Sequence, residues 1–570
     1  MNLRLAVFAV GVILPQAGAG ALLCTNSSSA SNETSNKEDS STAPAASILR
    51  SNAISFPAPH ILEERGTEIG KIEVDTQDIF NKEEPGEGYR LYRLANRLHR
   101  RTRDRVIEKF LLLEEGTPYS RYEVEESARI LRSQRYLYDA TIEPIAYDGK
   151  KVDLRIRTRD VWTLKVGASL SRSGGENNFN IEVQDSNFLG TGKEITLKRS
   201  SDVDRSGYKV RYIDPNLLGT RAELELNYGD NDDGRFQKLK FRRRFFSLDS
   251  RRAGGLEYVG NRRTDSFYDL GTVQWKFDHD ETFAEAWTGI SKGLIEGNTH
   301  RWLAGVTFEE HKFSANTPVP TPFRPLEDRT LSYPWLGFQL AQDRYLEAQD
   351  INLIGRTEDL ALGHNITARI GWSSPIFGAN RDQLILEGSY SLGLIPAENH
   401  VLLFDSYLTG RWGEGGEEDV LVGLAARYHW RNMGQHALFA TLRVDAAREL
   451  DPEKQLLLGG DSGLRGYPLR YQFGDRRALL TLEQRFYTPW HPLRLAHVGA
   501  AVFVDIGKVW TPGTNSVSDQ GTLIDVGFGL RLSPSRSGFG SMVHLDVAFP
   551  LTGEASIDRV QFLISTKETF

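Results

Sequence analysis

The stretch LLLGGDSGLRGYPLR, Leu456 to Arg470, holds two sets of residues whose types could do chemistry. The first is Gly460-Asp461-Ser462-Gly463, the tetrapeptide that surrounds the nucleophile of serine proteases. A serine acts this way only when a His and an Asp activate it, and the His must lie within hydrogen-bond reach. The chain has 12 His, yet none sits in an Ala-Ala-His setting, and Leu464 stands where a further Gly would be expected. Short runs of turn-forming residues recur by chance in a chain with 53 Gly. Catalysis by Ser462 is therefore rejected, and the chain is not expected to be an enzyme. The second set is Leu464-Arg465-Gly466-Tyr467, an arginine freed by a neighbouring glycine to turn into whatever lies beneath it.

What lies beneath depends on the rest of the chain. Its 570 residues carry 69 basic and 76 acidic side chains, a net charge of -7, which gives no electrostatic case for a nucleic-acid partner. One cysteine excludes a disulfide framework and a Cys-based zinc site. There is no Walker A string, so no nucleotide is expected, and no cofactor or metal either. High Gly, 10% aromatics and only 3 Met favour strands and turns over packed helices.

Residues 1–21 combine Arg4, an apolar run from Leu5 to Leu14, and small residues at Ala17, Ala19 and Ala21, the pattern of a secretory signal peptide. Cys24 raises a lipid-anchored alternative, although Leu23 precedes it where a small residue would be expected. Residues 22–67 are read as a disordered linker, because the Ser/Asn/Thr-rich part at 25–52 cannot offset its ordering entropy by burial. From 68 to 161 the pattern is mixed α/β. GKIEV (70–74) alternates like a strand, Ser120 and Glu123 have capping-box spacing, and a hairpin runs through Asp148-Gly149 with Val152, Leu154 and Ile156 as its apolar row.

From 162 to 570 strand-like segments of about ten residues repeat. In 498–506, Val498, Ala500, Val502 and Val504 share one face, and Gly499, Ala501, Phe503 and Asp505 the other. In 522–532, Ile524, Val526, Phe528 and Leu530 oppose Asp525, Gly527, Gly529 and Arg531. In 541–549, Val543, Leu545 and Val547 oppose Met542, His544, Asp546 and Ala548; in the final segment, Phe562 and Ile564 oppose Gln561 and Leu563, and the chain stops at Phe570. In a bilayer every backbone polar group needs a partner, so strands cross only as a closed barrel. The fold class expected is therefore a transmembrane antiparallel β-barrel preceded by a small α/β domain. Lys238, Lys240, Arg242 and Arg244 alternate with Leu239 and Phe241, a basic ladder on the lumen side that either meets structural counter-charges or attracts an anionic client.

The string Leu458-Gly459-Gly460 followed by Leu464-Arg465-Gly466-Tyr467 resembles the Leu/Val-Arg-Gly-Phe/Tyr loop of the BamA/TamA superfamily of outer-membrane insertases and translocases. Residues 68–161 resemble one POTRA domain, NFLGTGKEITL (187–197) the first periplasmic turn, and LTLEQRFYTP and AAVFVDIGKVW the strands after the loop. The resemblance covers 68–570 and is most specific over the last part. It implies a Gram-negative outer-membrane location with the POTRA domain in the periplasm, and a barrel of about 16 strands. Counting alternating segments gives instead up to fifteen before 448 and five after Arg465. The excess is assigned to side hairpins such as 263–282 or 311–332.

A loop at 449–477 that folds into the lumen needs carboxylates for its arginine. Glu483, Asp505 and Asp525 fall on lumen rows. The resemblance makes Arg465 the anchor, Asp505 its favoured partner and Glu483 the second. It also makes Phe562, Ile564 and Phe570 a C-terminal signal. The partners implied are an unfolded client, received by strand addition at the POTRA edge, and outer-membrane lipid. The function implied is insertion or translocation of client polypeptides, with a partner-specific secretion pore or a passive porin as alternatives.

Overall fold

A computed structural model describes residues 56–80, 89–202, 204–315, 325–433, 436–512, 521–538 and 541–567. The signal-peptide and Cys24 readings, most of the linker, and Phe570 lie outside them.

The N-terminal domain is built on a three-stranded sheet. Its elements are α1 (Pro59–Glu64), β1 (Glu68–Gln77), α2 (Arg90–Leu98), α3 (Asp104–Glu108), α4 (Arg121–Arg132), β2 (Leu137–Tyr147) and β3 (Lys151–Asp160). The order is β1-β3-β2, with β1 parallel and β2 antiparallel to β3. The linker expectation fails at 59–64: Pro at the first helical position starts α1, and Leu62 is buried beside Ile69 and Val152. This one apolar anchor outweighs the polar composition around it. Ser120 caps α4 by accepting the Glu123 N–H at 3.4 Å, as its spacing suggested. The β2–β3 turn is closed by Asp148, whose carboxylate accepts the Lys150 and Lys151 N–H groups, with Gly149 at φ +98°. Val152, Leu154 and Ile156 pack inward as an apolar row.

The remainder is a closed barrel of twenty strands, from Leu164–Ser173 to Gln561–Lys567. The expectation of about 16 is thereby corrected. The alternating segments counted from the sequence are all wall strands. Residues 263–282 belong to the paired strands Arg252–Asp269 and Thr272–Ile295, which stay hydrogen-bonded to their tip. They lengthen the wall and form no separate hairpin. The period of two sorts the faces as expected: Val502, Phe528 and Phe562 are about half exposed on the outside, while Ala501, Phe503 and Asp505 are buried inside. An even count returns the chain to the end where it entered, so the N-terminal domain and the last strand share one end, called here the near end.

The N-terminal domain lies across that near mouth. Asn187 donates to Thr102 at 2.7 Å, Arg221 to the Leu111 carbonyl at 2.8 Å, and Tyr92 to the Leu493 carbonyl at 2.7 Å. Trp162 N–H bonds Arg536 O at 2.7 Å. These partners come from turns on widely separated strands. The connection 343–364 adds a short hairpin, Tyr345–Gln349 with Thr357–Ala361. Arg132 of α4 holds it through Glu347 at 2.6 Å and Asp359 at 2.7 Å. Its tip crosses the mouth, with Ile354 packed among Ala437, Phe439, Tyr487 and Met542 and its N–H on Ser533.

Glu126 of α4 accepts the Leu248 N–H at 3.3 Å and pairs with Arg129, so docking buries it. Burial lifts its pKa from 4.5 to about 7, and Arg129 offsets only part of that rise. A carboxyl raised in the docked state favours docking when protonated. That contribution is complete below the free value and is lost as pH rises through about 7. Energy transfer between labels on α4 and on the 244–251 turn should therefore report tighter docking near about pH 5 than near about pH 8. Glu126→Gln should remove the dependence. A parent protein whose signal is flat across this window would contradict the assignment.

Candidate functional site

The far-end connection 449–475 joins the strands His436–Arg448 and Arg476–Tyr487. Its base is a short ladder, Leu456–Leu458 against Gln472–Gly474, and the chain between turns down into the lumen. Leu464 and Tyr467 are fully buried and pack with Leu458, Leu479, Val509 and Leu523. The Tyr467 hydroxyl lies 2.8 Å from the carbonyls of Ile524 and Thr552. Gly466 has to be glycine, because a Cβ there would come 2.6 Å from the Asp525 Cβ and 3.1 Å from the Pro550 nitrogen.

These fixings deliver Arg465 to the wall. Its Nε and one terminal nitrogen straddle Asp505 at 2.7 and 3.0 Å, and the other terminal nitrogen lies 2.9 Å from Glu483 and 3.4 Å from Asp546. The guanidinium carbon stands 3.2 Å from the centroid of the Phe503 ring. Glu483 in turn accepts from Arg485 at 2.8 Å and from the Nε and one terminal nitrogen of Arg531 at 3.0 and 2.7 Å. Arg531 also reaches Asp546 at 2.6 Å, and Thr481 donates to Asp505 at 2.7 Å. Three guanidinium groups thus meet three carboxylates, all buried. The bidentate geometry and balanced charge make their desolvation tolerable.

The structure brings Asp505 and Glu483 onto Arg465. Asp525 is on the lumen row but lies beneath the Gly466 backbone, with no hydrogen bond to Arg465 among the described contacts. Sequence reasoning missed Asp546, Arg485 and Arg531. Asp546 and Arg531 stood on rows already assigned to the lumen, so a tally of charge on those rows would have found them. Phe562 faces outward and Ile564 pairs with Arg172 in the wall. Ser462 closes a turn by accepting the Gly459 N–H at 2.7 Å and donating to the Gly459 carbonyl. In the basic ladder, Lys238 and Lys240 meet Glu257, and Arg242 and Arg244 meet Glu223.

The loop also leans on the opposite rim. Arg470 pairs with both oxygens of Asp204 at 2.7 and 2.6 Å and stacks 4.2 Å from the Tyr268 ring. Gln455 bonds the Tyr268 backbone in both directions. On another flank, Asp451 and Glu453 are held by Arg329, and Asp451 also by Arg411. The far mouth is bridged by this loop.

Residues 422–567 match the model of the Omp85 superfamily domain. This stretch of the chain is similar to that domain. It contains the Arg465 loop and the last five strands of the barrel. No curated protein matches the chain. Among solved structures, the chain is similar to BamA from Haemophilus ducreyi lacking POTRA domains 1–3, at 13% identity over 87% of this chain and 85% of that one, with a TM-score of 0.38. It is similar to CdiB from Acinetobacter baumannii at 12% identity, over 88% and 73% of the two chains, TM-score 0.41. The likeness to CdiB from Escherichia coli is 11% identity over 87% and 76%, TM-score 0.47.

Removing Arg465 would leave Asp505 buried without its main counter-charge. Breaking such a pair from one side costs about 3–5 kcal/mol. Arg465→Ala should therefore release the 449–475 loop, seen as faster hydrogen exchange across it in a barrel that still migrates as folded on unboiled gels. Arg465→Lys, unable to straddle Asp505, should fall between the two. Unchanged exchange in both variants would show that the loop is held by its apolar contacts alone.

Proposed function

We propose that this chain is an outer-membrane protein of a Gram-negative bacterium that inserts client polypeptides into the membrane or moves them across it, without enzymatic chemistry. In this reading the near end faces the periplasm, with the signal-peptide-like leader directing export and the N-terminal domain acting as a single POTRA-type receiver. Among the described residues, the sheet order leaves the outer edge of β2 without a strand neighbour. An extended client segment would add there through main-chain hydrogen bonds, as strand-addition partners do.

The observation that carries the proposal is the seam. First and last barrel strands meet at one described register pair, Ile564 opposite Arg172, whereas the strands Ala496–Trp510 and Leu523–Pro534 pair from Ala496 to Gly507. A closed barrel whose pairing among the described residues is sparsest at one joint can open sideways there, and the parted edges would offer unpaired backbone to an incoming strand. The Arg465 network holds the last strands as a rigid block beside that joint. A passive porin is disfavoured, because the loop at one mouth and the 343–364 hairpin at the other stand in the lumen.

A covalent lock distinguishes lateral insertion from passage through the lumen. Directly paired antiparallel positions are close enough to bridge. Arg172→Cys with Ile564→Cys, in a Cys24→Ser background, should form a disulfide that halts client insertion under oxidising conditions and restores it on reduction. A locked protein that still delivers its client into the bilayer would sink the lateral route. One that still exports a client past the membrane would favour the secretion pore.

A further inference from the structure

Seven arginines lie between Arg90 and Arg105, on and just after α2. In α2, Tyr92 and Asn96 face inward: Tyr92 stacks on Phe80 at 4.3 Å, and Asn96 bonds the Phe80 backbone in both directions. Helical spacing then turns Arg90, Arg93 and Arg97 to one exposed flank, and Leu94 and Leu98 to the adjoining one. Leu94 is 49% exposed, Leu98 64% and the preceding Tyr89 66%, an unusual display for a nine-residue helix. Arg100, Arg101, Arg103 and Arg105 continue the exposed basic run, of which Arg101 lies 3.7 Å from Asp78.

Position gives this surface its partner. One end is tied to the turn 488–495 by the Tyr92–Leu493 bond, and Trp490 and Leu493 of that turn project outward. The other end is tied to the turn around Gly190 by the Arg103 N–H, beside outward-facing Phe188 and Leu189. The seam strands stand between these two turns in the barrel order. The exposed leucines and arginines are thus continuous with the lipid-facing belt, at the depth where aromatic side chains mark a bilayer interface. A short helix with apolar and basic flanks at that depth matches an interfacial lipid-binding segment.

We propose that Arg90, Arg93, Arg97 and Arg100 bind the phosphates of anionic phospholipids in the periplasmic leaflet, while Leu94 and Leu98 enter the acyl boundary at the foot of the seam. This holds whether the barrel inserts or secretes its client. Each arginine near an anionic surface strengthens association about fivefold, so neutralising three weakens it about 100-fold.

The test uses the full chain in nanodiscs, with Leu98→Cys carrying a fluorophore in a Cys24→Ser background. Phosphatidylcholine bilayers are compared with bilayers that also contain phosphatidylglycerol. The label should be shielded from an aqueous quencher in the anionic bilayer and exposed in the neutral one. High salt should abolish the shielding, as should replacing Arg90, Arg93 and Arg97 together by Gln, with the barrel's heat-dependent gel migration unchanged in every variant. Equal exposure in both bilayers overturns the proposal, as does full shielding in the triple variant. Shielding that appears in neutral bilayers only when an acidic client peptide is added would overturn it in favour of a protein partner.

Discussion

Arg465 has to be neutralised inside the barrel wall, and much of the C-terminal half follows from that requirement. A guanidinium taken from water costs several kcal/mol unless its donors find charged acceptors in good geometry. Glu483, Asp505 and Asp546 come from three different strands, so one arginine and its two companions, Arg485 and Arg531, staple those strands at a common depth. The staple fixes the loop, and the fixed loop gives Tyr467 and Leu464 their apolar seat among Leu458, Leu479 and Val509. Phe503 contributes a ring face where a fourth carboxylate would unbalance the charge.

Barrel size sets a second constraint. The diameter grows with strand number, and twenty strands enclose far more space than wall side chains can fill. Backbone fills it instead. The 449–475 loop enters from the far mouth and the 343–364 hairpin from the near one, each carrying its own small apolar cluster into the lumen. The second plug is also gripped from outside by Arg132 of the N-terminal domain. Any displacement of that domain pulls on a segment that touches the inner wall at Ser533 and Tyr487. The N-terminal domain and the barrel are therefore mechanically joined, where a flexible tether would have left them independent.

Strand periodicity was legible wherever an alternate row was strongly apolar, which is why Val502, Phe528 and Phe562 were placed correctly. The segment count was legible too, and it was the resemblance to smaller barrels that led away from twenty. Parity placed Glu483, Asp505 and Asp525 on the lumen rows, and the resemblance singled out Asp505 and Glu483 as the partners of Arg465. Asp525 shows the limit of parity. It has the right face, but register sets it directly across from Asp505, and an arginine anchored by Gly466 reaches only one of the two. Register arises from turn geometry and pairing across the sheet, which no local pattern encodes. The near-mouth hairpin and α1 were hidden for a related reason. Ile354 and Leu62 look like isolated apolar residues until the tertiary fold supplies their neighbours.

The described pairing around the barrel is uneven. Strands Arg252–Asp269 and Thr272–Ile295 pair along their whole length, and the strands bearing the Arg465 network are pinned by ion pairs as well as by backbone bonds. Between the first and last strands the described register is the pair Ile564 with Arg172. A net hydrogen bond is worth about 0.5–1.5 kcal/mol, so a continuous ladder is costly to part. Opening anywhere else would break many such bonds at once, and next to the loop would strand buried charge. The ion network therefore acts beyond its own contacts. By tying neighbouring strands together, it makes that stretch of the wall costly to part.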